Sequence, residues 1–136
     1  MKTAFHHLHV FCRHLEPMVS FWMEAFDAQF VERRKMGAAD GVVLLLSDGL
    51  RLFVRGPGPA DTTVVDASKD TSVRFSSYDH VGYSVDNLQE ALDSLAKRDD
   101  VTVTRPPFPS GSSLCAFIRG PEGIHVELVQ PGAVSA

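Results

Sequence analysis

Among the residues of this chain with the chemistry of metal ligands, His7, His80 and Glu127 stand out by their places in strand-like segments. His7 opens the apolar run Leu8-His9-Val10-Phe11-Cys12, and His80, 73 residues later, opens Val81-Gly82-Tyr83-Ser84-Val85. Glu127 lies inside the strand-like segment Ile124 to Val129. Two imidazoles and one carboxylate suit a divalent transition metal (Fe, Mn, Ni, Co or Zn), and three protein ligands leave positions open for water and substrate. His9 and His125 each lie two residues from one of these ligands on the same strand face. Either could serve as a general base, and polar lining is the equally open reading. Arg51 and Arg55 flank Phe53 and could anchor an anionic group, although a solvated strand edge explains Arg55 as well. Phe11 shares its register with His7 and His9. Taken singly, each residue fits an ordinary solvated position; the set gains weight because its members recur at equivalent places.

The recurrence belongs to a repeated element. At the offset of 73, Leu8 meets Val81, Val10 meets Tyr83, Cys12 meets Val85, Val19 meets Leu92 and Trp22 meets Leu95. Such internal similarity marks a duplicated unit. In the first copy a strand from Phe5 to Cys12 leads to a helix opening at Glu16-Pro17, where proline is tolerated in the first turn. Leu15, Val19, Trp22, Met23 and Phe26 form its buried stripe. Strands follow at Phe30-Val31, Val42 to Leu46 and Leu50 to Val54, the last two joined by Ser47-Asp48-Gly49. In the second copy, strand His80 to Val85 leads through Asp86-Asn87 into a helix striped by Leu88, Leu92 and Leu95. Strands Val101 to Thr104, Leu114 to Ile118 and Ile124 to Val129 complete it. Pro121-Glu122-Gly123 stands where Ser47-Asp48-Gly49 stood. The order is βαβββ, twice, with module one at 1–57, an Asp-, Thr- and Ser-rich connector at 58–77 and module two at 78–132 of a single domain spanning 1–136.

Alternation assigns the faces. Leu8, Val10 and Cys12 turn toward one helix, leaving His7, His9 and Phe11 opposite. Val81, Tyr83 and Val85 turn toward the other, leaving His80, Gly82 and Ser84. In the last strand Ile124, Val126 and Leu128 pack inward, leaving His125, Glu127 and Val129. Arg105, before Pro106-Pro107, and Ser110-Gly111-Ser112-Ser113 could form a loop over the pocket mouth.

Composition narrows the class. With 44% hydrophobic and 22% charged residues the chain is expected to fold as a globular domain. A net charge of -4 without a basic cluster argues against nucleic acid or an anionic membrane as partner. No apolar run approaches a membrane span, and no signal sequence is expected. The only cysteines, Cys12 and Cys115, lie in apolar strands and read as buried thiols of a cytoplasmic protein.

Three stretches resemble the vicinal oxygen chelate superfamily, which includes glyoxalase I, extradiol dioxygenases, fosfomycin-resistance proteins and methylmalonyl-CoA epimerase. They are His7 with Leu15 and Ser20-Phe21-Trp22, Asp79-His80-Val81 with Asp86, and the closing run Phe117 to Leu128 with its Pro-Glu-Gly turn and a Glu four residues after the Gly. The resemblance implies an α+β fold in which two βαβββ modules form an open, mostly antiparallel barrel-like sheet with helices on the outside. It further implies a divalent metal held by His7, His80 and Glu127, a small-molecule substrate and a homodimer. Aligning Gly49 with Gly123 and Pro57 with Pro131 sets Phe53 opposite Glu127, where glyoxalase I and the epimerase carry a carboxylate. Phenylalanine neither binds metal nor moves a proton. A glyoxalase-type reaction is thereby put in question, and a dioxygenase-, lyase- or transferase-like reaction is left. Phe53, Phe11 and Arg51 would then line the substrate side, with His9 and His125 as acid-base candidates. The alternative is a metal-free sequestering protein of the bleomycin-resistance type.

Overall fold

The structure is a computed structural model that describes residues 1–2, 4–61 and 79–135. Its contacts divide the chain into two compact units, Met1–Asp66 and Ala67–Ala136. The expected connector at 58–77 falls outside the described residues from 62 onward.

The first unit runs β1 (His7–Phe11), α1 (Leu15–Ala25), β2 (Gln29–Met36), β3 (Ala39–Leu45) and β4 (Arg51–Arg55). Its strands lie in the order β1-β4-β3-β2, with β1 parallel to β4 and the other two pairs antiparallel. Pro17 sits in the first turn of α1, where no intrahelical N–H is lost. The helix buries Met18, Val19, Phe21 and Trp22, and it lies against β3 and β4. Val42, Leu44, Leu52 and Val54 answer it from the sheet, all fully buried. The β3–β4 turn is closed by Gly49 at φ +86°, a conformation that favours glycine, while Asp48 Oδ1 accepts from Leu50 N at 2.9 Å.

The second unit repeats the plan with β5 (Val81–Ser84), α2 (Leu88–Leu95), β6 (Thr102–Ser110), β7 (Ser113–Arg119) and β8 (His125–Gln130). The strand order is β5-β8-β7-β6, again with one parallel outer pair and two antiparallel pairs. Asn87 caps α2 by accepting from Glu90 N at 3.1 Å. Leu88, Leu92 and Leu95 bury against β7 and β8, where Ala116, Ile118, Val126 and Leu128 form the sheet side of the core. A short 3-10 turn at Pro121–Gly123 joins the last two strands.

The fold is therefore α+β, built from two four-stranded, mostly antiparallel open sheets each carrying one helix. Two strands are longer than the sequence pattern suggested. β2 covers eight residues rather than Phe30-Val31, nearly all exposed, so no apolar alternation announces it. β6 continues through Pro106, Pro107 and Pro109 to Ser110 instead of stopping at Thr104. It is an edge strand, where proline removes no ladder bond that the sheet needs. Gly111 and Ser112 are accordingly a tight hairpin turn between β6 and β7, with Arg105, Ser110 and Ser113 in the strands themselves rather than in a loop. Among the described residues no helix is long and apolar enough to cross a membrane.

Candidate functional site

In each unit the face of the sheet away from the helix carries the residues with chemistry. Unit one draws His7, His9 and Phe11 from β1 and Arg51, Phe53 and Arg55 from β4. The parallel register sets them in rows: His7 beside Arg51, His9 beside Phe53, Phe11 beside Arg55. The His7 ring stacks on Phe53 with centroids 4.2 Å apart and planes 12° from parallel. His9 meets Phe53 edge-on at 5.9 Å. His7 Nδ1 lies 2.8 Å from His6 Nδ1, so its immediate chain neighbour engages that nitrogen. Arg55 is committed elsewhere, reaching both carboxylate oxygens of Asp61 at 3.0 and 3.2 Å with its guanidinium 4.9 Å from the Phe11 ring centre. Arg51 is exposed at the other end of the row, and Phe11 is partly exposed beneath Arg55.

Unit two places His80 just before β5 and Glu127 in the middle of β8, paired with Gly82 on one side and Phe117 on the other. His80 Nε2 is 3.1 Å from Glu127 Oε2, and His80 Nδ1 is 2.6 Å from Asp79 Oδ2. Phe117 meets the His80 ring edge-on at 5.1 Å, and His125 does so at 5.9 Å. Asp79, His80 and His125 form a group whose ligand-type atoms all lie within 4.8 Å of one another, so this corner of unit two can hold a metal ion. The Arg119 guanidinium is buried, in the row beside His125.

The donor set tests directly whether a cation fits. A carboxylate only accepts, and His80 meets one at each ring nitrogen, Asp79 at Nδ1 and Glu127 at Nε2. A neutral imidazole carries one ring proton; where the shorter contact, to Asp79, holds it at Nδ1, Nε2 faces Glu127 with a lone pair. Two acceptors 3.1 Å apart repel unless something positive joins them. A proton or a divalent cation meets that need, and a carboxylate backing the far nitrogen is the usual support of a metal-bound histidine. The residues fit the ion.

Burial pulls the His9 imidazole below the ordinary histidine range, and the His7 and Arg55 charges act the same way. Burial also lowers His125, with Arg119 adding to the effect and Asp79 opposing it. The Cys115 thiol is pushed up by burial first and then by the charge of the adjacent Glu127 carboxylate and a hydrogen bond to it. Cys12 and Cys115 are both free thiols.

The structure thus brings His80, Glu127 and His125 together within unit two, and His7, His9 and Phe53 together within unit one. In the sequence Asp79, Phe117 and Arg119 stand out only as members of the Asp79-His80-Val81 run and of the closing run from Phe117; their places beside His80 and His125 come from chain adjacency and cross-strand pairing, which a single strand's alternation does not report.

Sequence comparison now decides the family. The model of the Glyoxalase/Bleomycin resistance protein/Dioxygenase superfamily matches residues 4–128. The chain belongs to that superfamily. Among curated relatives, the lactoylglutathione lyases of Salmonella typhimurium and Escherichia coli O157:H7 are 34% and 32% identical over 56 residues, 40% of this chain. The match spans 42% of those relatives' length. Superfamily structures share the fold over nearly the whole chain. A glyoxalase/bleomycin resistance protein/dioxygenase domain from Frankia sp. gives a TM-score of 0.75 at 19% identity, covering 96% of this chain and 99% of that one. The genomically encoded fosfomycin resistance protein FosX of Listeria monocytogenes gives 0.71 at 14%, covering 96% and 94%. A variant of the same Listeria protein was crystallised with Mn(II) and a dihydroxypropylphosphonic acid, at a TM-score of 0.72, 14% identity and coverages of 96% and 94%.

One difference between the two modules bears on ligation. Phe53 pairs with His9 on β1, and Glu127 pairs with Gly82 on β5. The hydrogen-bonded register therefore sets Phe53 and Glu127 at corresponding places in their units.

Proposed function

We propose that this chain is a metal-dependent enzyme acting on small molecules with two adjacent oxygens, with His80, Glu127 and His7 as the protein ligands. The observation that carries the reading is the relay from Asp79 through His80 to Glu127, at 2.6 and 3.1 Å. A divalent ion bound there (Fe, Mn, Ni, Co or Zn) would supply Lewis-acid stabilisation of negative charge developing on a substrate oxygen. The Mn(II) carried by the fosfomycin-resistance neighbour is consistent with such a role.

The remaining work falls to this chain's side chains. Asp79 holds the Nδ1 proton of His80 and so keeps the lone pair of Nε2 directed forward. His125, 5.9 Å from the His80 ring, is placed to take a proton from a substrate carbon or hydroxyl, and His9 is the matching candidate in unit one. Phe53 and Phe11 supply apolar wall, and Arg51 offers an exposed bidentate donor to an anionic group. Phe53 withholds the second carboxylate that a glyoxalase-type proton transfer uses, so dioxygenase-like or lyase- and transferase-like chemistry is favoured over lactoylglutathione formation. Homodimeric assembly and a cytoplasmic location, in keeping with two free thiols, belong to the same reading.

Metal analysis of untagged protein is the test. One bound ion per chain, lost in His80→Ala and in Glu127→Gln, is expected. Folded wild-type protein that takes up no ion on reconstitution with any of the five metals would favour the sequestering alternative, in which His80 is an imidazolium bridging two carboxylates. Oxygen uptake with catechols on the Fe(II) form separates ring cleavage from non-redox chemistry.

A further inference from the structure

Unit one opens on two consecutive imidazoles, His6 and His7. Successive residues of a strand point to opposite faces, which would keep such neighbours apart. β1 begins only at His7. His6 therefore lies outside the pleat, and its ring turns to meet that of its neighbour. The ring centroids are 5.1 Å apart with planes 83° from parallel, and the two Nδ1 atoms are 2.8 Å apart. Two like nitrogens at that distance need a proton or a cation between them. No carboxylate among the described residues pairs with either ring, so the donor set is nitrogen alone.

The spacing selects the ion. Two imidazole nitrogens bound at about 2.0 Å and at a right angle to one another are about 2.8 Å apart, whereas a tetrahedral centre holds them about 3.3 Å apart. The observed separation is the right-angled one. Square-planar or tetragonal geometry with nitrogen donors is the preference of Cu(II), which also binds most tightly of the divalent first-row ions. The His7 ring is braced in advance: it stacks on Phe53 with centroids 4.2 Å apart and planes 12° from parallel. Its donor direction is thus fixed before any metal arrives, which lowers the ordering cost of binding. His6 is exposed, leaving the other equatorial positions open to water. His9 turns toward Phe53, edge-on at 5.9 Å, and is not part of the chelate.

We propose that His6 and His7 form a Cu(II) site, each donating Nδ1, distinct in its ligand atoms from the divalent centre proposed above. The site needs neither His80 nor Glu127. One consequence does rest on the proposed ligand role of His7: copper on Nδ1 leaves the ring proton on Nε2, the nitrogen which that centre would use. Copper is then an antagonist of metal loading there.

Untagged His80→Ala protein, which lacks the central imidazole of the other centre, is titrated with Cu(II) in glycine buffer to strip loosely held copper. The titration is repeated in Glu127→Gln. One Cu(II) per chain is expected in each, with two imidazoles coupled to the electron spin by electron paramagnetic resonance. Adding His6→Gln, an exposed change, should lower the affinity by more than about a hundredfold, since losing a ligand costs more than losing the group behind one. Adding His9→Gln should leave copper affinity as it was. No copper retained against glycine, a single coupled imidazole, equal affinity after His6→Gln with its fold verified by circular dichroism, or loss of copper after His9→Gln would each overturn the site. In wild type, one equivalent of Cu(II) should reduce Zn(II) uptake, and His6→Gln should relieve the effect. Zn(II) uptake indifferent to copper bound on the pair would strike the ligand role of His7 and leave the copper site standing.

Discussion

Replacing Asp79 with asparagine isolates what orients the central imidazole of the site. The carboxylate sits 2.6 Å from His80 Nδ1 and holds a proton there, which leaves Nε2 as the nitrogen facing Glu127. Asparagine can still accept that proton, but it carries no charge and can equally present an amine. Both effects reduce the basicity and the fixed tautomer of the ring. Loss of a carboxylate behind a metal-bound histidine generally costs ten- to a hundredfold in affinity. Asp79 has 62% of its side chain exposed, and solvent screens such a charge. The lower end is therefore expected: about tenfold, or about 1.4 kcal/mol. Competition of Zn(II) or Mn(II) between the protein and a chromophoric chelator measures it, and the gap between variant and wild type should narrow as salt is raised. Wild-type affinity in Asp79→Asn at low salt would refute the orienting role. A loss far beyond a hundredfold would refute it differently, by making Asp79 itself a ligand beside His125, a grouping that the 4.8 Å cluster permits.

Phe53→Glu installs a carboxylate at the ladder position that Glu127 occupies in the other unit; tighter metal binding is expected by calorimetric titration, with about 1 kcal/mol of stability lost as the stack on His7 disappears. Unchanged affinity would count against the proposed ligand role of His7, on which Phe53 stacks. Leu52→Ala should cost about 2–5 kcal/mol in urea unfolding, since Leu52 is fully buried on the helix side of β4. Asn87→Ala should cost about 1 kcal/mol by removing the cap on Glu90 N, with Asn87→Asp close to neutral; equal loss in both variants would exclude the cap as the cause.

Much of this fold could be read from the chain because duplication states each feature twice. The offset of 73 found the paired histidines, and the order βαβββ appears in both units with the same strand order. Alternation placed Val10, Cys12, Val126 and Leu128 on the buried side, where the structure has them. What escaped had physical reasons. β2 is solvated along nearly its whole length and so carries no period-two signal. The three prolines of β6 look like a strand end, yet an edge strand with two register shifts absorbs them. Arg55 reads from the sequence as a possible anion anchor, but Asp61, six residues on, engages it with both carboxylate oxygens. Ladder partners such as Phe117 and Glu127 lie ten residues apart in sequence, and only the hairpin register makes them neighbours.

The two modules differ least where it matters most for an imidazole. His6 engages Nδ1 of His7, and Asp79 engages Nδ1 of His80, so in each unit the residue just before the histidine takes the same nitrogen. In each unit that choice leaves Nε2 as the forward nitrogen. They differ in what the ladder sets next to the ring. Phe53 offers a face, and His7 stacks on it, which fixes the ring plane. Glu127 offers an oxygen, and Nε2 of His80 meets it in the plane of the ring. One duplicated frame has thus produced an imidazole braced by dispersion and another braced by charge. Were His7, His80 and Glu127 the ligands, as proposed above, their one carboxylate would leave a divalent ion with net positive charge, which favours an anionic substrate.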